Sequence, residues 1–366
     1  MIVFFTAHYY PHAGGIEAYV AGLSGELSRR GFRTAIVTTQ YPGKPFHERA
    51  GDCDIYRLSA IPLMGGRFPV PWRPDEWIRV SWTLSRDDTV VLQTRFFLTS
   101  LLGACVGRAV GAPVVGIEHG SGHFVYHNRV ARIWSSVYEH GLTRLLMMIT
   151  PMRWFGVSQA ACSWLSHFHI HAAGVVTNAV GESVIPAKHK TDPYIFYAAR
   201  LVAAKGLPEL IAGFQEFAQT HPSYRLVIAG TGELSQTAHR AAQSDPRIQY
   251  LGAVSHEEVM SLMKNASWYV NPSQYPEGLP TTVLEAGICK TPVITSSAGG
   301  AAEAVRDGID GIVLQIVDAQ SVAAACASVA DDTERASRMA ASLYSRVRDS
   351  YNWRVAGDQF LNSINA

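Results

Sequence analysis

The chain repeatedly places a short apolar run, a glycine-containing loop and a helical segment in that order. The first run, residues 2–6, leads to Gly14-Gly15 and then to a helical periodicity over residues 16–30. Apolar runs of this length are typical of buried parallel strands, and their alternation with helices is typical of an α/β fold. Further strands are predicted at residues 34–39, 54–58, 89–93, 113–117, 155–159, 174–180, 194–198, 226–229, 248–252, 267–270, 292–295 and 311–315.

The length and one polar stretch predict two domains. At 366 residues the chain is long for a single domain, since domains commonly contain about 100–200 residues. A stretch rich in lysine and proline at residues 181–193 separates the two series of strands and is the predicted linker. We therefore predict an N-terminal domain over residues 1–182 and a C-terminal domain over residues 183–349.

Composition excludes several classes of protein. The formal net charge is +1 at pH 7, so no overall field favours a nucleic acid partner. The five cysteines contain no Cys-x-x-Cys pair, which is typical of a reduced cytosolic chain without a zinc site. No segment reaches about 18 consecutive apolar residues, and the first residues lack a basic leader. We expect a cytoplasmic protein, soluble or peripheral at the cytoplasmic face of a membrane; the oligomeric state stays open.

The stretch at residues 267–287 predicts an anion site beside two carboxylates. A helix is predicted to start near Leu279, because Pro280 suits a first helical turn. That turn would leave four N–H groups without intrahelical partners, those of Gly278, Leu279, Thr281 and Thr282. Glu277 and Glu285 are poor phosphate ligands but good acceptors for sugar hydroxyls. The combination suggests that the ligand is a nucleotide sugar.

A basic loop follows the predicted strand at residues 194–198. Arg200 and Lys205 flank this loop, which ends in Gly206 ahead of a helix. Arginine binds phosphate through its planar fork and lysine binds it as a point charge, so the two could neutralise a diphosphate. A single basic residue near a turn is usually a solvated surface group, but two around one strand-to-helix loop favour a binding role.

Two pairs of glycines could bring the backbone close to a ligand. Gly14-Gly15 begins the first predicted helix, and Gly230 and Gly232 follow the strand at residues 226–229. Glycine has no Cβ, so a diphosphate can approach its N–H group closely. For Gly14-Gly15 a plain tight turn is the alternative, because the pair is not a Gly-x-Gly-x-x-Gly fingerprint.

His119 is the first candidate site residue of the N-terminal half. It follows the predicted strand at residues 113–117 and stands next to Gly120. Doubly wound sheets bind ligands at the carboxyl ends of their strands. A lone histidine is more often structural, but this placement favours a functional role. His123, in the same loop, is a weaker candidate.

Two segments of the N-terminal half combine basic and aromatic residues. Residues 65–82 contain three tryptophans among arginines, including Arg73, Trp77 and Arg79. Tryptophan favours membrane interfaces and arginine pairs with phosphates, so this segment could contact a membrane or a lipid-linked diphosphate. The alternative is a loop whose tryptophans pack onto the domain. Residues 128–148, which include Arg129, predict an amphipathic helix suited either to an anionic bilayer or to the core.

Taken together, these motifs resemble the retaining glycosyltransferases of family 4, the glycosyl transferases of group 1. The resemblance covers nearly the whole chain and depends on motifs in a fixed order. These are Gly14-Gly15 with Glu17, Glu118-His119-Gly120, Thr177-Asn178-Ala179-Val180, Ala199-Arg200-Leu201 with Lys205-Gly206, Ile228-Ala229-Gly230-Thr231-Gly232, and Glu277 with Glu285. Two features depart from the family pattern: Thr177 stands where proline is common, and the aromatic segment at residues 72–82 has no general counterpart.

The resemblance implies the α/β fold called GT-B. It consists of two Rossmann-like, doubly wound domains that face each other across a cleft, and the last helix, from about residue 350, returns to the N-terminal domain. The N-terminal domain would bind the acceptor and the C-terminal domain the nucleotide-sugar donor. Transfer would retain the anomeric configuration and would require no metal or other cofactor.

The resemblance also implies roles for single residues. Arg200 and Lys205 would hold the donor diphosphate, and Glu285 would bind the ribose. Glu277 and His119 would act at the transferred sugar as the catalytic residues. Backbone contacts to the donor would come from Gly14, Gly15, Gly230, Gly232, Gly278, Leu279, Pro280 and Thr281.

The main hypothesis is a transferase that moves a sugar from a nucleotide donor, with UDP favoured and GDP possible, to a lipid-linked glycan of a bacterial surface polysaccharide. One alternative is a transferase that acts on a soluble small-molecule or sugar acceptor. Another is a nucleotide-sugar-binding protein without turnover. The candidates for acceptor or membrane contact are Arg73, Trp77, Arg79, His123 and Arg129.

Overall fold

The computed structural model describes residues 1–12, 14–63, 65–123, 129–181 and 193–365. The chain forms two compact units, Met1–Ala179 with Trp353–Ala366 and Val180–Asn352. Most of the predicted linker at residues 181–193 lies outside the described residues. Each unit is an α/β structure built on its own mainly parallel sheet.

Strands and helices alternate along the described chain. The strands are β1 (Ile2–Phe5), β2 (Thr34–Thr39), β3 (His47–Ala50), β4 (Cys53–Leu58), β5 (Ala60–Leu63), β6 (Phe68–Pro71), β7 (Thr89–Gln93), β8 (Val114–Glu118), β9 (Arg153–Gly156), β10 (Ala172–Val175), β11 (Tyr194–Ala198), β12 (Arg225–Ala229), β13 (Ile248–Gly252), β14 (Trp268–Asn271), β15 (Val293–Ser296) and β16 (Ile312–Leu314). The α-helices are α1 (Gly15–Arg29), α2 (Pro74–Ser81), α3 (Leu98–Val110), α4 (Arg129–Ile149), α5 (Gln159–Ser166), α6 (Leu207–Thr220), α7 (Ser235–Ser244), α8 (His256–Asn265), α9 (Thr281–Ile288), α10 (Ala301–Ala304), α11 (Ala319–Asp331), α12 (Thr333–Ser350) and α13 (Trp353–Asn365).

The first unit contains an eight-stranded sheet in the order β10-β9-β8-β7-β1-β2-β4-β3. Its neighbouring strands are parallel except for β3 and β4, which are antiparallel. The central strands β1 and β2 are buried along their whole length, as expected where helices cover both faces of a parallel sheet. The strand order reverses between β1 and β7, which is the place where doubly wound sheets bind ligands.

The second unit contains a six-stranded parallel sheet in the order β13-β12-β11-β14-β15-β16. This is the strand order of the doubly wound dinucleotide-binding fold. Helices α6 and α11 pack together against the sheet, and their apolar side chains form a core that includes Phe214 and Val322. The order reverses between β11 and β14, and doubly wound sheets generally bind ligands beside the loops that follow the strands at such a reversal.

The last helix, α13, packs against α1 and therefore belongs to the first unit. This confirms the predicted return of the C-terminal helix to the N-terminal domain. Gly22 on α1 makes room for the indole ring of Trp353, since a Cβ at that position would collide with the ring. An ion pair of 2.7 Å joins Arg30 to Asp358 at the edge of the same contact.

The hydrophobic pattern misses some elements of the first unit. Strand β3 is mostly exposed, and β5 and β6 form a separate two-stranded hairpin. Strand β3 has no apolar run, and prolines interrupt the apolar residues of β5 and β6, which argues against a buried strand. Residues 65–82 are correspondingly not a loop, because they contain β6 and α2.

The predicted start of helix α9 is wrong by about one half turn. The helix begins at Thr281, and Pro280 is the extended N-cap residue before it rather than part of the first turn. The physical reason is that a residue preceding proline is disfavoured in the α region, which keeps Leu279 out of the helix.

Among the described residues, no helix has both the length and the apolar character needed to cross a bilayer.

Candidate functional site

The loops after β11 and β14 are joined at the point where the second sheet reverses its strand order. The Ala204 carbonyl accepts hydrogen bonds from the N–H groups of Gln274 and Tyr275, at 2.9 and 3.1 Å. Gly206 has a φ of 71°, and a Cβ there would collide with the Pro272 carbonyl. Position 206 therefore needs glycine both for its left-handed backbone and for the close approach of the two loops.

Lys205 and Glu277 form an ion pair between these two loops. The Lys205 Nζ lies 2.6 Å from Glu277 Oε1, and the side chains keep exposures of 15% and 22%. Water screens a half-buried pair less than a surface pair, so each charge holds the other in place. The structure thus brings together two residues that the sequence places on separate motifs, and it leaves both accessible to a ligand.

A second glycine contact fixes the backbone of Glu277. The Gly300 N–H donates to the Glu277 carbonyl at 2.8 Å. Gly299 has a φ of 63°, and a Cβ on it would collide with the backbone of Glu277. The loop after β15 therefore packs against the loop after β14. Glu277 is positioned by this backbone packing as well as by its ion pair.

Glu285 lies on α9, and it shares a face with Thr281 at the start of this helix. Burial raises the pKa of the Glu285 carboxyl above its usual value. His256, whose Nδ1 is 4.0 Å from Glu285 Oε1, offsets part of this rise. The N–H groups of Thr281 and Thr282 belong to the first turn of α9, where a helix attracts anions. Gly278 and Leu279 precede the helix rather than forming its first turn.

The predicted glycines Gly230 and Gly232 pack against the loop after β11. A Cβ on Gly230 would collide with the Ala199 carbonyl, and a Cβ on Gly232 would lie 2.5 Å from the Leu201 carbonyl oxygen. Both glycines therefore allow two neighbouring loops to touch. Arg200 lies in the supported loop, with an exposed side chain. Direct contact of the two glycines with a ligand stays a prediction.

His119 follows β8, and Gln93 ends the neighbouring strand β7. The His119 Nε2 lies 2.6 Å from Gln93 Oε1, and the imidazole meets the Tyr19 ring edge-on with centroids 4.7 Å apart. An amide oxygen only accepts hydrogen bonds, so Nε2 carries the proton and Nδ1 is left as an acceptor. Burial lowers the pKa of His119 to about 3, which keeps the ring neutral at pH 7.

Gly14 and Gly15 stand where β1 leads into α1. Gly14 is the extended N-cap and Gly15 the first helical residue. The side chain of Glu17 lies close to Gly14, and its Oε1 is 2.9 Å from His12 Nδ1. The protein's own carboxylate therefore lies at the positive end of α1, where the sequence predicts a diphosphate. Approach of a phosphate to Gly15 stays a prediction.

Sequence reasoning missed a buried ion triad that includes Glu118, the residue directly before His119. The Arg95 guanidinium lies 2.7 Å from both Glu118 Oε2 and Glu139 Oε2, and all three side chains are at most 1% exposed. The guanidinium carbon lies 3.7 Å from the centre of the Phe168 ring. Arg95 and Gln93 stand at the carboxyl end of β7, next to the reversal of the strand order, and that position is the one signal that could have found them.

The candidates for acceptor or membrane contact have varied surroundings. Trp77 packs against the core of the first unit, and Arg73 bonds to Asp75 at 2.8 Å. The Arg79 guanidinium carbon lies 6.0 Å from the centre of the Phe46 ring. The position of Trp77 against the core favours the alternative in which this tryptophan packs onto the domain.

Two other tryptophans of the same segment face solvent. Trp72 is 56% exposed and Trp82 is 80% exposed. Arg129 begins α4, but its side chain lies outside the described part of the chain. His123 Nδ1 lies 3.3 Å from Glu139 Oε1 of the buried triad, and the His123 side chain is 28% exposed.

Two family descriptions match the chain in succession. Glycosyltransferase Family 4 matches residues 13–181, and Glycosyl transferases group 1 matches residues 182–346. The chain belongs to the group 1 glycosyltransferases. An uncharacterized glycosyltransferase of Methanocaldococcus jannaschii is 22% identical over 98% of this chain and 96% of its own length. A GDP-mannose-dependent alpha-(1-6)-phosphatidylinositol monomannoside mannosyltransferase of Mycolicibacterium smegmatis is 24% identical over 96% of this chain and 95% of its own.

The solved structures agree with this assignment at the level of the fold. The structure of Anabaena HepE in complex with UDP has a TM-score of 0.77 and 17% identity, and the match covers 100% of this glycosyltransferase and 99% of that chain. Together with the two sheets described above, the match confirms the predicted GT-B fold with its two Rossmann-like domains.

We expect the stability of this glycosyltransferase to depend on the protonation of His119. The unfolded ring takes up a proton near pH 6.5, whereas burial delays protonation of the folded ring to about pH 3. The unfolded state binds more protons in this window, so the free energy of unfolding falls as the pH falls through it. In His119→Gln this fall between about pH 6 and pH 4 should be shallower by up to about 1 kcal/mol per pH unit, measured by urea unfolding.

The matched control for this measurement is His171→Gln, which changes an exposed histidine of the same unit. This variant should keep the wild-type dependence of unfolding free energy on pH. Equal slopes for the wild type and His119→Gln would show that burial of His119 has no influence on its protonation.

Proposed function

We propose that this glycosyltransferase transfers a sugar from a UDP-sugar to an acceptor hydroxyl with retention of the anomeric configuration. The observation that carries the proposal is the Lys205–Glu277 ion pair at the reversal of the second sheet, followed by the largely buried Glu285 on α9. A cation beside two carboxylates suits a ligand that joins a diphosphate to hydroxyl-rich sugars.

Each residue of the second unit receives one role in this proposal. Lys205 and the exposed Arg200 bind the diphosphate, and the N-terminus of α9 at Thr281 adds its positive end. Glu285 accepts hydrogen bonds from the ribose hydroxyls. Glu277, oriented by Lys205, accepts hydrogen bonds from hydroxyls of the transferred sugar.

We assign acceptor binding to the first unit, together with the predicted role of His119 at the transferred sugar. Because Nε2 of His119 faces Gln93, the free Nδ1 is the atom that can accept a hydrogen bond from a sugar hydroxyl. A ring that stays neutral at pH 7 supplies no positive charge for the leaving diphosphate. That charge comes instead from Arg200 and Lys205.

Two comparisons support a nucleotide diphosphate sugar as the donor. The HepE structure contains UDP, and the M. smegmatis relative depends on GDP-mannose. Both nucleotides contain a ribose and a diphosphate, the parts that Glu285, Arg200 and Lys205 would bind. We favour UDP because the fold match with HepE covers the whole chain.

The two carboxylates should affect different parts of the donor. Glu285→Gln should weaken the binding of UDP and of UDP-glucose alike by about tenfold, because hydrogen bonds to the ribose are common to both ligands. Glu277→Gln should weaken UDP-glucose binding by about tenfold and leave UDP binding unchanged or stronger, since it removes a sugar contact and releases Lys205. Isothermal titration calorimetry in the presence of EDTA measures all four affinities.

Glu216→Gln is the control for both variants, since it neutralises an exposed glutamate on α6 of the same unit. It should bind both ligands as the wild type does. If Glu277→Gln weakened UDP and UDP-glucose equally, the assignment of Glu277 to the transferred sugar would be wrong.

Retention without a metal is the second part of the proposal. We propose that the leaving diphosphate, balanced by Arg200 and Lys205, takes the proton of the acceptor on the face from which it departs. In slow hydrolysis of UDP-α-glucose, water takes the place of the acceptor, and α-glucose should form before β-glucose. Proton NMR in EDTA follows the two anomers directly.

Three other results would each contradict one part of the proposal. Early β-glucose would contradict retention, and activity that EDTA abolishes would contradict metal independence. Donor binding without release of UDP, even in the presence of acceptors, would favour the alternative of a binding protein without turnover.

The acceptor is proposed to be a lipid-linked glycan of a surface polysaccharide, reached from a membrane surface. The outer face of α4 exposes large apolar side chains, with Trp134 at 69%, Val137 at 58% and Met148 at 75%. The exposed Arg144 lies on the same helix and could pair with lipid phosphates. The M. smegmatis relative, by its name, acts on a phosphatidylinositol monomannoside, which agrees with a lipid acceptor.

We expect the protein to bind vesicles that contain about one third anionic phospholipid. The double variant Trp134→Ala and Met148→Ala should lower the vesicle partition coefficient, measured by cosedimentation, at least about tenfold. The reason is that it removes apolar area that would enter the interface. The control is Ile316→Ala, which removes a side chain that is 67% exposed in the second unit. Absence of vesicle binding by the wild type would favour a soluble acceptor.

A further inference from the structure

Three histidines from separate elements of the first unit converge at one place. His123 lies in the loop after β8, His140 lies on α4, and His167 directly follows α5. One ring nitrogen from each lies within 4.8 Å of the others, and the Nε2 atoms of His123 and His167 are 3.2 Å apart. Two imidazoles that share a tetrahedral ion at a bond length of about 2.05 Å would have their nitrogens about 3.3 Å apart.

A hydrogen bond orients one of these rings, and a carboxylate lies behind a second, as metal ligands require. The His140 Nδ1 lies 2.9 Å from the Ser136 carbonyl and must donate to it, so Nε2 is the free acceptor atom. The His123 Nδ1 lies 3.3 Å from Glu139 Oε1, which is a carboxylate behind the ring. In metal sites the second ring nitrogen of a histidine ligand commonly faces a backbone carbonyl or a carboxylate in this way.

The surroundings also suit a cation. The buried triad of Arg95, Glu118 and Glu139 combines one positive and two negative side chains, so it leaves one negative charge beside His123. The His167 ring stacks on the Trp164 indole, with centroids 4.8 Å apart and planes at 8°.

We propose that His123, His140 and His167 form a binding site for a divalent transition metal ion, with Zn²⁺ the best suited. Three imidazoles and one water complete a tetrahedral shell. The ion would join the loop that begins at His119 to α4 and α5. This site is separate from the residues assigned to the donor, and the proposal does not depend on the proposed function.

The sequence gives no indication of this site. The expectation of a chain without zinc considers cysteine spacing alone, whereas these histidines are far apart along the chain and meet only through folding. Among the histidines, cysteines and acidic residues of the described chain, this group is the one whose ligand atoms approach closely enough to hold an ion.

Titration of the full chain with ZnCl₂ tests the proposal by calorimetry. The wild type should bind one ion, and His140→Gln and His167→Gln should each weaken this binding at least about tenfold. His171→Gln, which changes an exposed histidine outside the cluster, should bind zinc as the wild type does. The thermal midpoint of the wild type should rise with the logarithm of zinc concentration, and that of the two cluster variants should not.

Titration with Co²⁺ provides a readout of geometry. The wild type should develop the visible absorption of tetrahedral Co²⁺, and the two cluster variants should lose it. Circular dichroism in EDTA checks that both variants fold, which we expect because His140 and His167 are exposed. The proposal is overturned if the wild type binds no zinc, or if the folded cluster variants bind it with wild-type affinity.

Discussion

The candidate donor site depends on one close contact between two backbone segments, the approach of Gly206 to the Pro272 carbonyl. This contact is possible because position 206 has no Cβ and adopts a left-handed backbone. It brings the loop after β11 against the loop after β14, so that Lys205 reaches Glu277 at 2.6 Å. Gly230 and Gly299 allow similar close contacts between neighbouring loops, and the charged residues are therefore positioned by glycine contacts as well as by their own ion pair.

Much of the fold could be predicted from the sequence, because the predictive signals are local. A buried parallel strand is a short apolar run, and a helix that follows it shows its own periodicity, so β1 with α1 and β11 with α6 are visible in the residues. The exposed strand β3 has no apolar run, and prolines interrupt those of the hairpin of β5 and β6, so these strands were not predictable by this route. The late start of α9 follows from a local rule, the restriction that Pro280 places on Leu279, which outweighs the preference of proline for a first turn.

The candidate site was predictable where its residues stand in motifs and not where folding alone brings them together. Lys205, Glu277 and Glu285 stand in motifs, although their pairing could not be known. Gln93, which bonds to His119, and Arg95, which joins Glu118 to Glu139 in the buried triad, stand in no motif, because each is a single polar residue after a strand whose partners are remote in sequence. Burial of His119, which lowers its pKa, is likewise a property of the packed fold rather than of the residue.

The placement of α13 has a consequence for the order in which the two units can be completed during synthesis. The second unit, Val180–Asn352, is one continuous segment, and all of its residues are synthesised before those of the last helix. The first unit is discontinuous in sequence. The space that Gly22 leaves on α1 is filled by Trp353, which is translated only after the second unit. The part of the chain translated first is therefore the part that finishes packing last, and until then Phe4 of β1 lacks the Phe360 ring that stacks on it.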